Sequence, residues 1–147
     1  MEIEYKIPEP KDLPAVLSLM PALYSEIGPG LEKVLAEFIE DKYYYKLLAV
    51  EKETGAAAGF IVGCCRLEVD FECRAGALEE VVVRPDRRGL GIGRTLLAEF
   101  EKWSAERGAE GIIVPCGREG FYEKMGFMKC PITRYWRDIK PASGRGT

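Results

Sequence analysis

The chain has 147 residues, of which 47% are hydrophobic; 21 Lys and Arg stand against 24 Asp and Glu, a formal charge of −3, and there is no histidine. That balance gives no electrostatic ground for nucleic acid as the main ligand, and no apolar run reaches membrane-spanning length. Without histidine, Ser-His and Cys-His nucleophilic machinery and any histidine base are excluded, so a proton must be taken by a carboxylate, a water relay or the substrate itself.

The length fits one domain with its own core, expected over residues 1 to 140, with 141 to 147 as a frayed tail. Residues 2 to 7 alternate and predict a strand, stopped by Pro8 and Pro10. Asp12 can cap a helix over 12 to 20, with Leu13, Val16, Leu17 and Met20 on one face. Gly28-Pro29-Gly30 breaks the pattern, and 31 to 41 predict a second amphipathic helix through Leu31, Val34, Leu35 and Phe38. Residues 44 to 52 and 57 to 69 predict a hairpin, turned at Glu53-Thr54-Gly55.

Residues 73 to 76 read as a loop leading into a strand over 77 to 83. From 94 to 103 the apolar residues Leu96, Leu97, Phe100 and Trp103 have helical spacing, and this helix should end near Gly108. A short buried strand is expected over 111 to 114. A helix of one to two turns follows over 118 to 125, ended by Gly126 in the left-handed conformation. The chain should close with a hairpin of 127 to 130 and 132 to 139. The order β-α-α-β-β-β-α-β-α-β-β predicts a mixed α/β (α+β) sheet.

Cysteines occur at 64, 65, 73, 116 and 130, an odd number without a Cys-x-x-Cys, so neither a zinc site nor a disulfide framework is expected. They read as reduced, mostly buried thiols of a cytoplasmic protein. Nothing basic and then apolar opens the chain, so no secretory signal is expected.

The chemistry concentrates between the strand at 77 to 83 and the helix after it. There Arg88-Gly89-Leu90-Gly91-Ile92-Gly93 forms a glycine-rich turn opening a helix. Such a turn offers unpaired N–H groups and the positive end of the helix dipole to an anion, and glycine lets the ligand approach the backbone. It is not a Walker loop: Arg88 stands where the first glycine should be, and Arg94 replaces the lysine. The dinucleotide fingerprint fails as well, because Leu96 occupies the third glycine position. The pattern that fits is Arg/Gln-x-x-Gly-x-Gly/Ala, met by Arg88, Gly91 and Gly93.

Two further segments accompany the turn. Glu79-Glu80-Val81-Val82-Val83-Arg84-Pro85 precedes it, and Gly120-Phe121-Tyr122-Glu123-Lys124-Met125-Gly126-Phe127 lies near the end. In this order and spacing the three resemble the GNAT N-acetyltransferase superfamily, over about residues 1 to 139 with 75 to 130 most specific. Within that family the 78 to 83 run looks more like the glucosamine-6-phosphate and polyamine acetyltransferase groups.

The resemblance implies a GNAT acyl-CoA N-acyltransferase fold and acetyl-CoA as co-substrate. The pyrophosphate would lie on Arg88, Gly89, Leu90, Gly91, Ile92, Gly93 and Arg94, and the pantetheine arm along Val81, Val82 and Val83, where two strands splay. It also implies Glu80 or Glu79 as base and Tyr122 as the group that protonates or steadies the departing thiolate. One departure is Pro115, where many relatives carry an asparagine that bonds pantetheine.

An alkylammonium with a pKa near 10.4 is neutral in only about one part in several thousand at pH 7, a penalty of roughly 4–5 kcal/mol, and a carboxylate base offsets part of it. Successive strand residues face opposite sides, so one of Glu79 and Glu80 should face the cleft while the other packs or pairs. Each candidate has a plainer reading. Both acids could serve salt bridges, Tyr122 could pack the last helix, and Arg87 reads as a solvated surface arginine. The expected reaction is acetyl transfer to a primary amine of a small molecule by direct attack in a ternary complex. The alternatives are a protein N-terminal or lysine acetyltransferase and a non-catalytic acetyl-CoA-binding module. No nucleic-acid or membrane partner is expected, and a homodimer is left open.

Overall fold

Branched and aliphatic runs in the first two thirds of the chain form strands that pair in chain order. The computed structural model describes residues 1–114, 120–130 and 135–140. In it β1 (Ile3–Lys6), β2 (Tyr45–Glu51), β3 (Ala57–Glu68), β4 (Cys73–Val83) and β5 (Gly111–Ile113) make one sheet in that order. The first four are antiparallel, and β4 with β5 is parallel. A parallel pair needs a crossover, which α3 (Ile92–Glu106) supplies. Two shorter helices, α1 (Leu13–Leu17) and α2 (Pro29–Glu40), complete the unit Met1–Pro115.

Residue parity along β3 assigns the two faces of the sheet. Phe60 and Val62 join Leu48, Val50 and Val82 in a core with Val16, Leu19 and Met20 from the α1 region and Leu35 and Ile39 from α2. Gly59 and Gly63 point the other way, toward Ile92, Leu96 and Phe100 of α3. Helices therefore cover both faces of the sheet.

Several expectations are corrected. The first helix is only Leu13–Leu17, between 3-10 turns at Pro10–Asp12 and Met20–Ala22; Pro21 has no N–H with which to continue it. Asp12 does not cap it, because its carboxylate accepts from the Glu9 N–H (2.8 Å) and from Lys6 Nζ (3.1 Å). On α2 the buried residues are Leu35 and Ile39, whereas Val34 is exposed. Residues 73 to 76 are strand, not loop, since the long β3 pairs Cys73 through Gly76 and β5 flanks Ala75 to Ala77 on the other side.

The second unit, Cys116–Thr147, holds residues 120–130 and 135–140 of the described chain. Gly120 (φ +83°) and Gly126 (φ +90°) bracket a single 3-10 turn, Glu123–Met125, in place of the expected α-helix. The left-handed Gly126 is as expected, and the Phe127 N–H then donates back to the Tyr122 carbonyl at 3.1 Å. Among the described residues 127–130 and 135–140 belong to no strand, so the closing hairpin is not found there; 118–119, 131–134 and the tail 141–147 lie outside the described residues.

Candidate active site

The acidic pair sits on a β-bulge. Val62 lies opposite Glu80 but Gly63 lies opposite Leu78, so Glu79 is an extra residue in β4. The insertion breaks the alternation expected of the pair. Glu80 shares the face of Val62, and Glu79 follows Leu78, which shares the opposite face with Gly63. Both carboxylates therefore project from the α1/α2 face of the sheet. Glu79 Oε1 lies 3.8 Å from Arg66 Nη1, whose Nε donates to Glu68 Oε1 at 2.6 Å. Glu80 Oε1 accepts from the Val81 N–H (3.1 Å) and Oε2 from the Tyr24 hydroxyl (2.9 Å).

The surroundings of the pair are aromatic. Tyr44, packed edge-to-face with Phe38 and Tyr43, has its hydroxyl pKa raised, first by burial and then by the charge of Glu79. On the same face the Cys64 thiol is buried, and that burial pushes its pKa up, which suits an inert thiol rather than a nucleophile.

The edge of β4 beyond the bulge is directional. The Arg84 N–H donates to the Ala58 carbonyl of β3 at 2.8 Å. Alternation then turns the backbone of Val82 toward β3 and the N–H and C=O of Val81 and Val83 away from it. The parallel pairing with β5 covers only Ala75 to Ala77. Past that point β4 has no ladder partner on this edge among the described residues.

The turn itself follows from two glycines. Gly89 (φ +81°) and Gly91 (φ +83°) are left-handed, a region costly for other residues, and a Cβ on either would meet nothing within 4 Å. Gly91 is the N-cap of α3, whose first N–H groups, at Ile92, Gly93 and Arg94, have no intrahelical acceptor. Arg88, Leu90 and Arg94 are exposed, with Arg88 Nε reaching the Val83 carbonyl at 3.4 Å. Open space, converging donors and two arginines fit a pyrophosphate. The outward edge of Val81 and Val83 fits the amides of an extended arm.

Tyr122 belongs to the second unit. Its ring is buried, edge-to-face with Phe121 (5.0 Å) and Phe127 (5.7 Å). Pro115 and Cys116 lie outside the described residues.

Sequence reasoning missed two contributors. Tyr24 sits in the break between α1 and α2, where no pattern marks a hydroxyl bound for residue 80. Arg87 is not a solvated arginine, because its Nε (2.7 Å) and Nη2 (2.6 Å) hold Glu51 Oε1. Their partner, Glu51, lies inside the strand expected over 44 to 52, where no motif marks it.

Known proteins resemble this chain in sequence and in fold. A family model described as "Acetyltransferase (GNAT) domain" matches residues 39–129. Glucosamine 6-phosphate N-acetyltransferase of Trypanosoma brucei brucei is 28% identical over 134 residues, covering 86% of this chain and 90% of that protein. Glucosamine 6-phosphate N-acetyltransferase 1 of rice (Oryza sativa subsp. japonica) is 36% identical over 90 residues, covering 56% of this chain and 52% of the relative. Among solved structures, an aminoglycoside antibiotic 6'-N-acetyltransferase of Acinetobacter baumannii superposes with a TM-score of 0.79 at 17% identity, covering 93% of this chain and 98% of the other. The fold, the match over more than half of the chain and the glycine turn lead to one statement: the chain belongs to the GNAT acetyltransferase family and is an acyltransferase.

Proposed function

We propose that this enzyme transfers the acetyl group of acetyl-CoA to a primary amine of a small molecule, by direct attack within a ternary complex. The observation that carries the proposal is the bulge that turns Glu79 and Glu80 to one face where β4 parts from β5. A strand needing only to pack would gain nothing from two half-buried carboxylates side by side. The trypanosome relative, aligned over most of this chain, is named for a small aminosugar acceptor, which favours a small amine over a protein.

Bound acetyl-CoA supplies the activated acyl group. Residues Arg88, Gly89, Leu90, Gly91, Ile92, Gly93 and Arg94 would hold its pyrophosphate, and the outward groups of Val81 and Val83 its pantetheine amides. Glu80 takes the proton of the incoming ammonium at its carboxylate, directly or through water. Glu79 faces Arg66 and helps to set the negative potential that draws the cation. Tyr122 holds a proton against the departing sulfur. The family match crosses from the first unit into the second, so we read 1 to 140 as a single domain. Free thiols at Cys64, Cys65, Cys73 and Cys130 suit a cytoplasmic enzyme.

The test is a panel of amines with acetyl-CoA and detection of released thiol, run on wild type, Glu80→Gln and Tyr122→Phe. Small amines should turn over. Each variant should lose about 10- to 1,000-fold in kcat/KM while binding acetyl-CoA as before. If Glu79→Gln shows the loss instead, the roles of the two acids are exchanged. Thermal stabilisation by acetyl-CoA with no acceptor of any kind would make the chain a binding module.

A further inference from the structure

Glu51 has no part in the mechanism above, yet its carboxylate is buried and engaged on both oxygens. It ends β2, where Oε1 accepts from Arg84 Nη2 (3.1 Å) and Arg87 Nε (2.7 Å), and Oε2 accepts from the Thr54 hydroxyl (3.1 Å). Arg84 is tied further to β3, through its N–H to the Ala58 carbonyl (2.8 Å) and its Nη1 to the Ala57 carbonyl (2.8 Å). Arg84 precedes and Arg87 ends the 3-10 turn Pro85–Arg87, closed by the Arg87 N–H on the Arg84 carbonyl at 2.9 Å. The next residue is Arg88, where the pyrophosphate turn begins. Asp86, the acid of this turn, pairs with Arg84 Nε (2.7 Å) and Arg87 Nη1 (3.5 Å) at the exposed rim.

We propose that Glu51 is a positioning residue for coenzyme binding: it fixes Arg84 and Arg87 to the β2–β3 hairpin and thereby the point from which the chain enters the turn at Arg88. The argument is geometric. Gly89 and Gly91 are left-handed and have open space where a Cβ would stand, so no side-chain packing holds the turn; the Gly91 carbonyl accepts from the Thr95 N–H and hydroxyl (both 3.0 Å), which ties only the α3 side. Its far end is fixed by α3. Its near end is fixed by a carboxylate that two guanidinium groups cannot leave without exposing a buried charge. Donors aimed at a phosphate are most effective when already in place, so a restraint at the root of the turn converts into affinity. The same carboxylate keeps Arg84 and Arg87 engaged, leaving Arg88 and Arg94 as the cations presented to the ligand. The inference rests on the reading that residues 88 to 94 hold the pyrophosphate.

The experiment measures the Kd of CoA by calorimetry, and KM and kcat with acetyl-CoA, for the full chain and for Glu51→Gln. The expected result is a Kd and an acetyl-CoA KM raised by about tenfold, equivalent to about 1.4 kcal/mol, with kcat at saturation and the amine KM within about twofold of wild type. Leu35→Val, in the core between α1 and α2, controls for general loosening; it should lower the Tm and leave the Kd of CoA unchanged. If Glu51→Gln does not fold, Arg87→Gln, which leaves the Glu51–Arg84 pair, should raise the Kd by a smaller factor. An unchanged Kd despite a lower Tm would make the cluster purely structural and overturn the proposal. Tighter CoA binding would overturn it too, since the freed arginines would then act as added charge. Failure of wild type to bind CoA would remove the pyrophosphate reading itself, and this inference with it.

Discussion

Gly63 lies beneath the middle of α3 and Gly76 beneath its last turns, and Gly89 and Gly91 lie at its start, yet the two pairs are glycine for opposite reasons. A Cβ at Gly63 would stand 2.5 Å from Phe100 Cζ and 2.7 Å from the Ala77 carbonyl oxygen; one at Gly76 would stand 2.6 Å from Ile112 Cδ1 and collide with Ser104 Oγ. At Gly89 and Gly91 a Cβ would meet nothing within 4 Å, and the constraint is the positive φ alone. The first pair lets a helix lie close on a sheet. The second keeps a loop bent and bare. Close contact marks the region that holds the fold, whereas left-handed glycines beside open space mark the turn to which our proposal assigns the pyrophosphate.

The largest expected effect belongs to the packed pair. Gly63→Ala forces either the Phe100 ring or the β3–β4 ladder to move, and overpacking of this kind costs about 3 kcal/mol or more. The Tm should fall by roughly 6–12 °C, with CoA affinity in the surviving folded fraction near that of wild type. A Gly63→Ala protein as stable as wild type would show that α3 is not held to this spacing.

Gly91→Val should do the reverse. A branched residue at φ +83° costs about 1–2 kcal/mol in the fold. Its side chain would occupy the space that the pyrophosphate reading assigns to the ligand. The thermal shift given to wild type by saturating acetyl-CoA, about 2.7 kcal/mol at a hundred times Kd, should disappear. A retained shift would take the turn out of the site and leave the two glycine pairs distinguished by conformation alone.

The contrast also explains what could be read in the sequence. The open glycines were legible because spacing alone marks them: Arg88, Gly91 and Gly93 stand between a strand and a helix. The sheet and α3 were legible for a similar reason, because periodicity reports local burial. The bulge at Glu79 was not, since a register shift between β3 and β4 depends on both strands and leaves no mark on either. Nor was the Glu51–Arg87 contact, which joins residues far apart in the chain, so that an arginine in a charged turn looked solvated. The shortening of the first helix was partly visible in Pro21. The 3-10 turn ahead of Gly126 was overestimated as an α-helix because the two bracketing glycines leave too little chain to make one.

Ser104 carries the smallest prediction and the one most specific to the packed face. It lies in the last turns of α3, fully buried against Gly76, and its Oγ has no hydrogen-bond partner among the described residues. A buried hydroxyl without a partner keeps the penalty of leaving water and gains nothing in return. Ser104→Ala removes the oxygen but keeps the Cβ, and alanine is the better helix former by several tenths of a kcal/mol. The variant should therefore match wild type or exceed it by up to about 1 kcal/mol in urea unfolding, with no change in CoA affinity. A loss of more than about 1 kcal/mol would mean that the hydroxyl is bonded, to a backbone carbonyl of α3 or to a buried water. The close approach at Gly76 would then be the seat of a polar contact rather than a plain packing contact.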